Sequence, residues 1–86
     1  MNISAAITDP RVADVKVSAS TLTVVLRDGR KISAPLDWFP KLKNTTAQKR
    51  SVWEIAAAGH GIHWPLIDED LSVDGLLQGT PATSKE

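Results

Sequence analysis

The sequence predicts a small α+β domain: a small antiparallel sheet, made of a three-strand meander plus a second hairpin, with two or three short helices. Three observations predict it. Apolar and polar residues alternate through 12–17 and 22–26, the period-2 pattern of half-buried strands. Asp28-Gly29 sits between two such runs, a hairpin signal. Pro40, Gly59, Gly61 and Pro65 break the second half, which leaves space for short helices and a further hairpin but for no long helix.

The elements follow in chain order. Residues 1–9 form a lead-in closed by Asp9-Pro10, a boundary signal. Ala13, Val15 and Val17 share the inward parity of a first strand, with Asp14, Lys16 and Ser18 between them. Leu22, Val24 and Leu26 line one face of the second strand. A two-residue turn would oppose Val25 to Ile32 and Val24 to Ser33, mixing apolar with polar. A three-residue loop, Arg27-Asp28-Gly29, pairs Val24 with Ile32 and Leu22 with Ala34 and puts Gly29 where a left-handed conformation costs least. The second register is favoured. Pro35, which cannot donate to the ladder, ends the third strand.

Leu36–Lys43 then reads as a helical turn or short helix, in which Pro40 is acceptable near the first position. Asn44-Thr45-Thr46 is a break, and Thr45 or Thr46 can cap a second short helix through Arg50. A strand is expected over Trp53–Ala57, with Gly59-His60-Gly61 turning into another over Ile62–Trp64. Pro65 opens a loop to Leu71 that carries the acids. Ser72 caps a last helical turn with Leu76 and Leu77, closed by Gly79. The domain is thus placed at 10–79, followed by a loose tail at 80–86.

At 86 residues the chain fits one core. The absence of Cys excludes disulfides, a thiol nucleophile and cysteine-ligated metal. No run reaches the ~20 apolar residues of a membrane span, and the opening Met1-Asn2-Ile3-Ser4 has no basic leader, so a cytoplasmic protein is expected. Ten bases balance ten acids, but they are segregated. Residues 27–50 hold seven bases against Asp28 and Asp37, a net +5, whereas 54–74 hold five acids and no base, a net −5. Either the two segments neutralise each other across the fold, or the surface is dipolar.

At this point the residues match a known family. Asp28-Gly29-Arg30, the block Pro35-Leu36-x-Trp38-Phe39-Pro40, Arg50 with Trp53, and the run Gly61-Ile62-His63-Trp64-Pro65-x-x-Asp68-Glu69-Asp70-Leu71-Ser72-Val73 followed by Leu76-Leu77 resemble the bacterial Domain of Unknown Function 2442 family over about residues 10–79. The resemblance implies a small bacterial or phage α+β domain with no established activity, and it supplies no catalytic residue. It also implies frequent pairing with another small gene product in toxin–antitoxin-like arrangements. Some relatives continue into a helix-turn-helix segment, which is not expected in a chain that stops at Glu86.

Few constellations carry chemistry. On a strand, the three-residue spacing of His60 and His63 points them to opposite faces, so a shared metal is not expected, and no cofactor is. His63, Asp68 and Asp70 form the one candidate polar site. Neighbouring loop acids rarely flank a substrate as hydrolytic carboxylates must, and no calcium-loop pattern is present. No serine sits in a nucleophile elbow, and the glycines spell no phosphate loop. The aromatics are Trp38, Phe39, Trp53 and Trp64, which serve as core or, where exposed, as interface anchors.

The expectation is therefore a non-enzymatic interaction or regulatory module that binds a protein partner, which in the antitoxin-like arrangement that the resemblance implies is the product of an adjacent gene. Lys41, Lys49 and Arg50 would steer an acidic partner, and Trp38 or Trp53 would anchor it. A binder of single-stranded nucleic acid is the first alternative, weakened by the zero net charge. A metal-dependent enzyme on His60, His63 and Asp68 is the second. Self-association through an edge strand stays open.

Overall fold

Two antiparallel sheets share one core. The structure, a computed structural model, describes residues 8–79; all but the last two residues of the expected lead-in at 1–9, and the expected tail at 80–86, lie outside the described residues. The first sheet has the order β1-β2-β3, with β1 at Val12–Val17, β2 at Thr21–Leu26 and β3 at Lys31–Pro35. Leu22 pairs with Ala34 and Val24 with Ile32, the register of the three-residue loop. Gly29 has φ +94°, as that loop requires. Leu22, Val24 and Leu26 are all buried.

β1 departs from the simple alternation. Val12 pairs with Leu26 and Asp14 with Val25, so Ala13 is the extra residue of a β-bulge. Val12 and Val15 are buried and Ala13 is exposed, which corrects the expectation that Ala13 points inward. The Asp14 carboxylate accepts from the Val15 N–H at 2.8 Å, so the irregularity leaves that donor satisfied.

A 3-10 turn at Leu36–Trp38 leads into α1 at Pro40–Lys43, with Pro40 at the first position. α2 at Ala47–Arg50 is capped by Thr46, whose hydroxyl accepts from Lys49 N–H at 3.1 Å. Single turns of this length have no stability of their own. Leu36, Phe39 and Leu42, each at most 1% exposed, fix the first two against the core.

The second sheet has the order β4-β5-β6: β4 at Glu54–Ala56, β5 at Gly61–Trp64 and β6 at Glu69–Ser72. The acid-bearing stretch expected as loop to Leu71 is thus a turn at 65–68 followed by an edge strand, and the second hairpin is a second three-strand sheet. Pro65 starts the turn, and Asp68, with φ +53°, takes the left-handed position that Asp tolerates. Ser72 caps α3 at Val73–Gln78 by accepting from Gly75 N–H at 2.9 Å, and Gly79 ends it with φ +74°. Ile62, Trp64, Val73 and Leu76 join the residues of the first sheet in one buried cluster. No helix among the described residues is long and apolar enough to cross a membrane.

Candidate functional site

The end of α2 and the edge strand β4 bring together the largest share of the expected partner-binding residues. Arg50 closes α2, and its guanidinium donates to the carbonyls of Leu42 at 2.7 Å and Lys43 at 2.8 Å. Those are carbonyls that the short α1 cannot satisfy internally. The Arg50 carbonyl in turn accepts from Trp64 Nε1 at 3.0 Å, so Arg50 ties α1, α2 and β5 together. Lys49 beside it is exposed. Trp53 is half-buried and packs against the core, between the exposed Val52 and Ile55, which are 42% and 44% accessible. Trp53 shares a crevice with Val15, Val17, Ala47, Arg50 and Ser51.

The other expected residues lie in different surroundings. Lys41 Nζ donates to the Asp68 carbonyl at 2.9 Å, linking α1 to the turn before β6. Trp38 is half-buried, edge-on to Phe39 with ring centroids 6.4 Å apart, beside Gly79 at the end of α3. Of the polar candidates, His63 and Asp70 meet: they are register partners across β5 and β6, and Nδ1 and Oδ1 are 2.8 Å apart. Glu54 is the register partner of His63 on the other side. Asp68 is not brought to that pair through its carboxylate; its carbonyl serves Lys41. His60 is exposed. Among the described residues no three His, Asp or Glu side chains are gathered to hold a metal.

Electrostatics are arranged locally. The ion pairs among the described residues are Asp9–Arg11, Asp28–Arg30 and Asp37–Lys43, and His63 is hydrogen-bonded to Asp70 within the second sheet. None joins the basic segment to the acidic one. Arg11, through its side-chain and backbone hydrogen bonds, holds Asp9 down to about 2. Arg30 does the same for Asp28, also about 2, with help from the Asp9 N–H.

The model of the family described as "Protein of unknown function (DUF2442)" matches residues 12–82. The chain belongs to this family. The match runs from the first residue of β1 to beyond α3, so DUF2442 is the whole described fold and not a part of it. Among solved structures, the chain is similar to a protein of unknown function from Rhodospirillum rubrum at 29% identity and a TM-score of 0.72, covering 86% of this chain and 92% of that one. It also resembles an uncharacterised protein from Chromobacterium violaceum, with a TM-score of 0.74 over 87% of this chain and 71% of that one; at 22% identity the likeness is one of fold. No curated protein matches the sequence significantly.

Sequence reasoning missed the fork that Arg50 makes to α1 and the crevice beside Trp53. Adjacent cation and aromatic residues were the available signal, but the carbonyl partners come from tertiary placement. The strand carrying Asp70 had a signal as well: Trp64-Pro65-x-x-Asp68 is a turn in which Pro sets φ and Asp tolerates the left-handed position.

Proposed function

We propose that the chain is a non-enzymatic, cytoplasmic protein-interaction module of regulatory, antitoxin-like type, and that it engages an acidic partner through the surface formed by the end of α2 and by β4. The observation that carries this reading is the exposure of Val52 and Ile55 on either side of Trp53 in the sequence, three residues after the exposed Lys49. A central apolar anchor with a charge at its rim is the composition of a partner-binding patch. The lack of ion pairs between the two charged segments supports it, because the basic side is left with charge to offer.

The test is co-purification with the product of the adjacent gene, comparing the native chain with Lys49→Glu and Ile55→Asp. Lys49→Glu slows association and Ile55→Asp weakens retention, with the far-UV spectrum unchanged in both. Arg50 is unsuitable for charge reversal, since its removal would release two carbonyls of α1. Unaltered capture by both variants would refute the reading. Steeply salt-dependent affinity for short oligonucleotides would replace it with nucleic-acid binding.

A further inference from the structure

We propose that the free edge of β4 pairs with the β4 of a second copy of this chain, about a two-fold axis through Ile55. The proposal goes beyond the interaction reading above and does not rest on it. Ladder geometry fixes which groups β4 offers. Val73 N–H donates to the His60 carbonyl at 3.0 Å, one step beyond the register that pairs Gly61 with Ser72 and Ile62 with Leu71. Hydrogen-bonded and non-hydrogen-bonded pairs alternate along an antiparallel ladder. The main chain of Ile62 therefore bonds β6, and those of Gly61 and His63 bond β4, where their partners are Ala56 and Glu54. Ile55, between those two, directs its N–H and C=O away from β5, and its side chain is 44% exposed.

Each of the other three edge strands carries a block at an outward position. The same alternation, continued from the bond of Leu26 N–H to the Arg30 carbonyl, turns the main chains of Val15 and Pro35 outward. Val15 N–H is taken by the Asp14 carboxylate at 2.8 Å in the bulged β1, and Pro35 has no N–H. On β6 the outward Asp70 N–H is taken by the Glu69 carboxylate at 3.2 Å. Such devices keep an edge from adding a strand. Among the described residues no side chain or turn takes the Ile55 N–H. A second copy is complementary to this edge. With Ile55 on the axis, its N–H and C=O exchange two hydrogen bonds with the Ile55 of the second copy, and the two exposed side chains meet. Glu54 then stands opposite the Ala56 of the second copy, so like charges do not face each other. Ten bases against ten acids leave no net repulsion between copies. So short an edge buries less than the ~1,200–2,000 Å² of stable interfaces, and the dimer is weak, with a Kd on the order of 0.1–1 mM.

The experiment is sedimentation of the full chain alone from about 10 μM to about 2 mM, a range that brackets this Kd, with amide hydrogen exchange at both ends. The mean mass should rise from monomer towards dimer, and the Ile55 amide should become more protected as concentration rises. Ile55→Pro removes the outward donor at a place where an edge strand tolerates Pro. It should raise the Kd by about tenfold or more with the far-UV spectrum unchanged. If that variant does not fold, Ala56→Lys and Ala56→Glu test the register: the first places a cation opposite Glu54 and should tighten the dimer, the second should loosen it. A monomer throughout, Ile55 protection that ignores concentration, a dimer indifferent to Ile55→Pro, or equal responses of the two Ala56 variants would overturn the proposal. A monomeric chain whose capture of the adjacent gene product still falls with Lys49→Glu and Ile55→Asp would overturn the dimer and keep the interaction reading. A dimer of this register that captures no partner would keep the proposal and defeat that reading.

Discussion

Two side chains do more than their position in the sequence announces. Asp28 accepts from its own hairpin, at Arg30 N–H and guanidinium, and from the Asp9 N–H at 2.8 Å, which fastens the chain ahead of β1 to the loop. Its carboxyl is held at about 2 against an ordinary 3.8, and a depressed carboxylate contributes stability that is complete above the unfolded value. That contribution is lost as pH falls from 3.8 towards about 2. The urea midpoint should decline over that window, and Asp28→Asn should flatten the decline while lowering the plateau; an unchanged profile in the variant would contradict the assignment. Arg50 is the second case. Arg50→Lys keeps the charge but not the planar fork, and at roughly 1.5–3 kcal/mol for a hydrogen bond involving a charged group it should lower the denaturant midpoint clearly. Lys49→Gln, on exposed surface, should stay within about 0.5 kcal/mol of the native chain.

Glycines and turn residues set the elements apart, and the two hairpin-side glycines make the comparison sharp. A Cβ at Gly29 would meet nothing within 4 Å, so Gly29→Ala bears only the strain of its φ of +94°, about 1–2 kcal/mol. At Gly59 the φ is +97° and a Cβ would lie 2.9 Å from Arg11 Cβ and Cγ, atoms close to the main chain that cannot swing away. Gly59→Ala should therefore destabilise more than Gly29→Ala in the same thermal-melt series; the reverse order would refute the close approach of Gly59 to Arg11, just ahead of β1. The first hairpin was legible because alternation, Asp28-Gly29 and Pro35 all agree on one register. Ala13 was misplaced because a bulge shifts parity without leaving a mark in composition. β6 was read as loop because Glu69 and Asp70 mask the period, and charges are tolerated on an edge strand. Ala57 and Ala58 both adopt positive φ, a strain no propensity argument would assign to alanine. Of the candidate surface, Lys49 and Trp53 were legible as types and as neighbours, whereas the crevice depends on Val15 and Val17 arriving from β1.

For the molecule as a whole, the segregated charges and the shared core act on different properties. Because the ion pairs are local, folding does not rely on attraction between the basic and acidic segments. Raising salt should leave the melting temperature nearly constant while it slows capture of an acidic partner, since screening acts over ~8–10 Å. The core is what makes the two sheets one unit. Phe39 and Trp64 are its two aromatic members, each at most 1% exposed, and Ile62 and Val73 join the same cluster as Val12 and Leu26. Truncating such a ring costs about 3–5 kcal/mol, while stability of ~0.05–0.15 kcal/mol per residue gives about 4–13 kcal/mol for a chain of this length. Phe39→Ala should thus remove a large share of the stability, and it should do so everywhere at once. Tryptophan fluorescence, which includes Trp53 beside β1 and Trp64 in β5, and far-UV circular dichroism should report one coincident transition in the native chain and in the milder Phe39→Leu. Separate midpoints in either protein would mean that the second sheet folds on its own, and the contiguity of the core would be wrong.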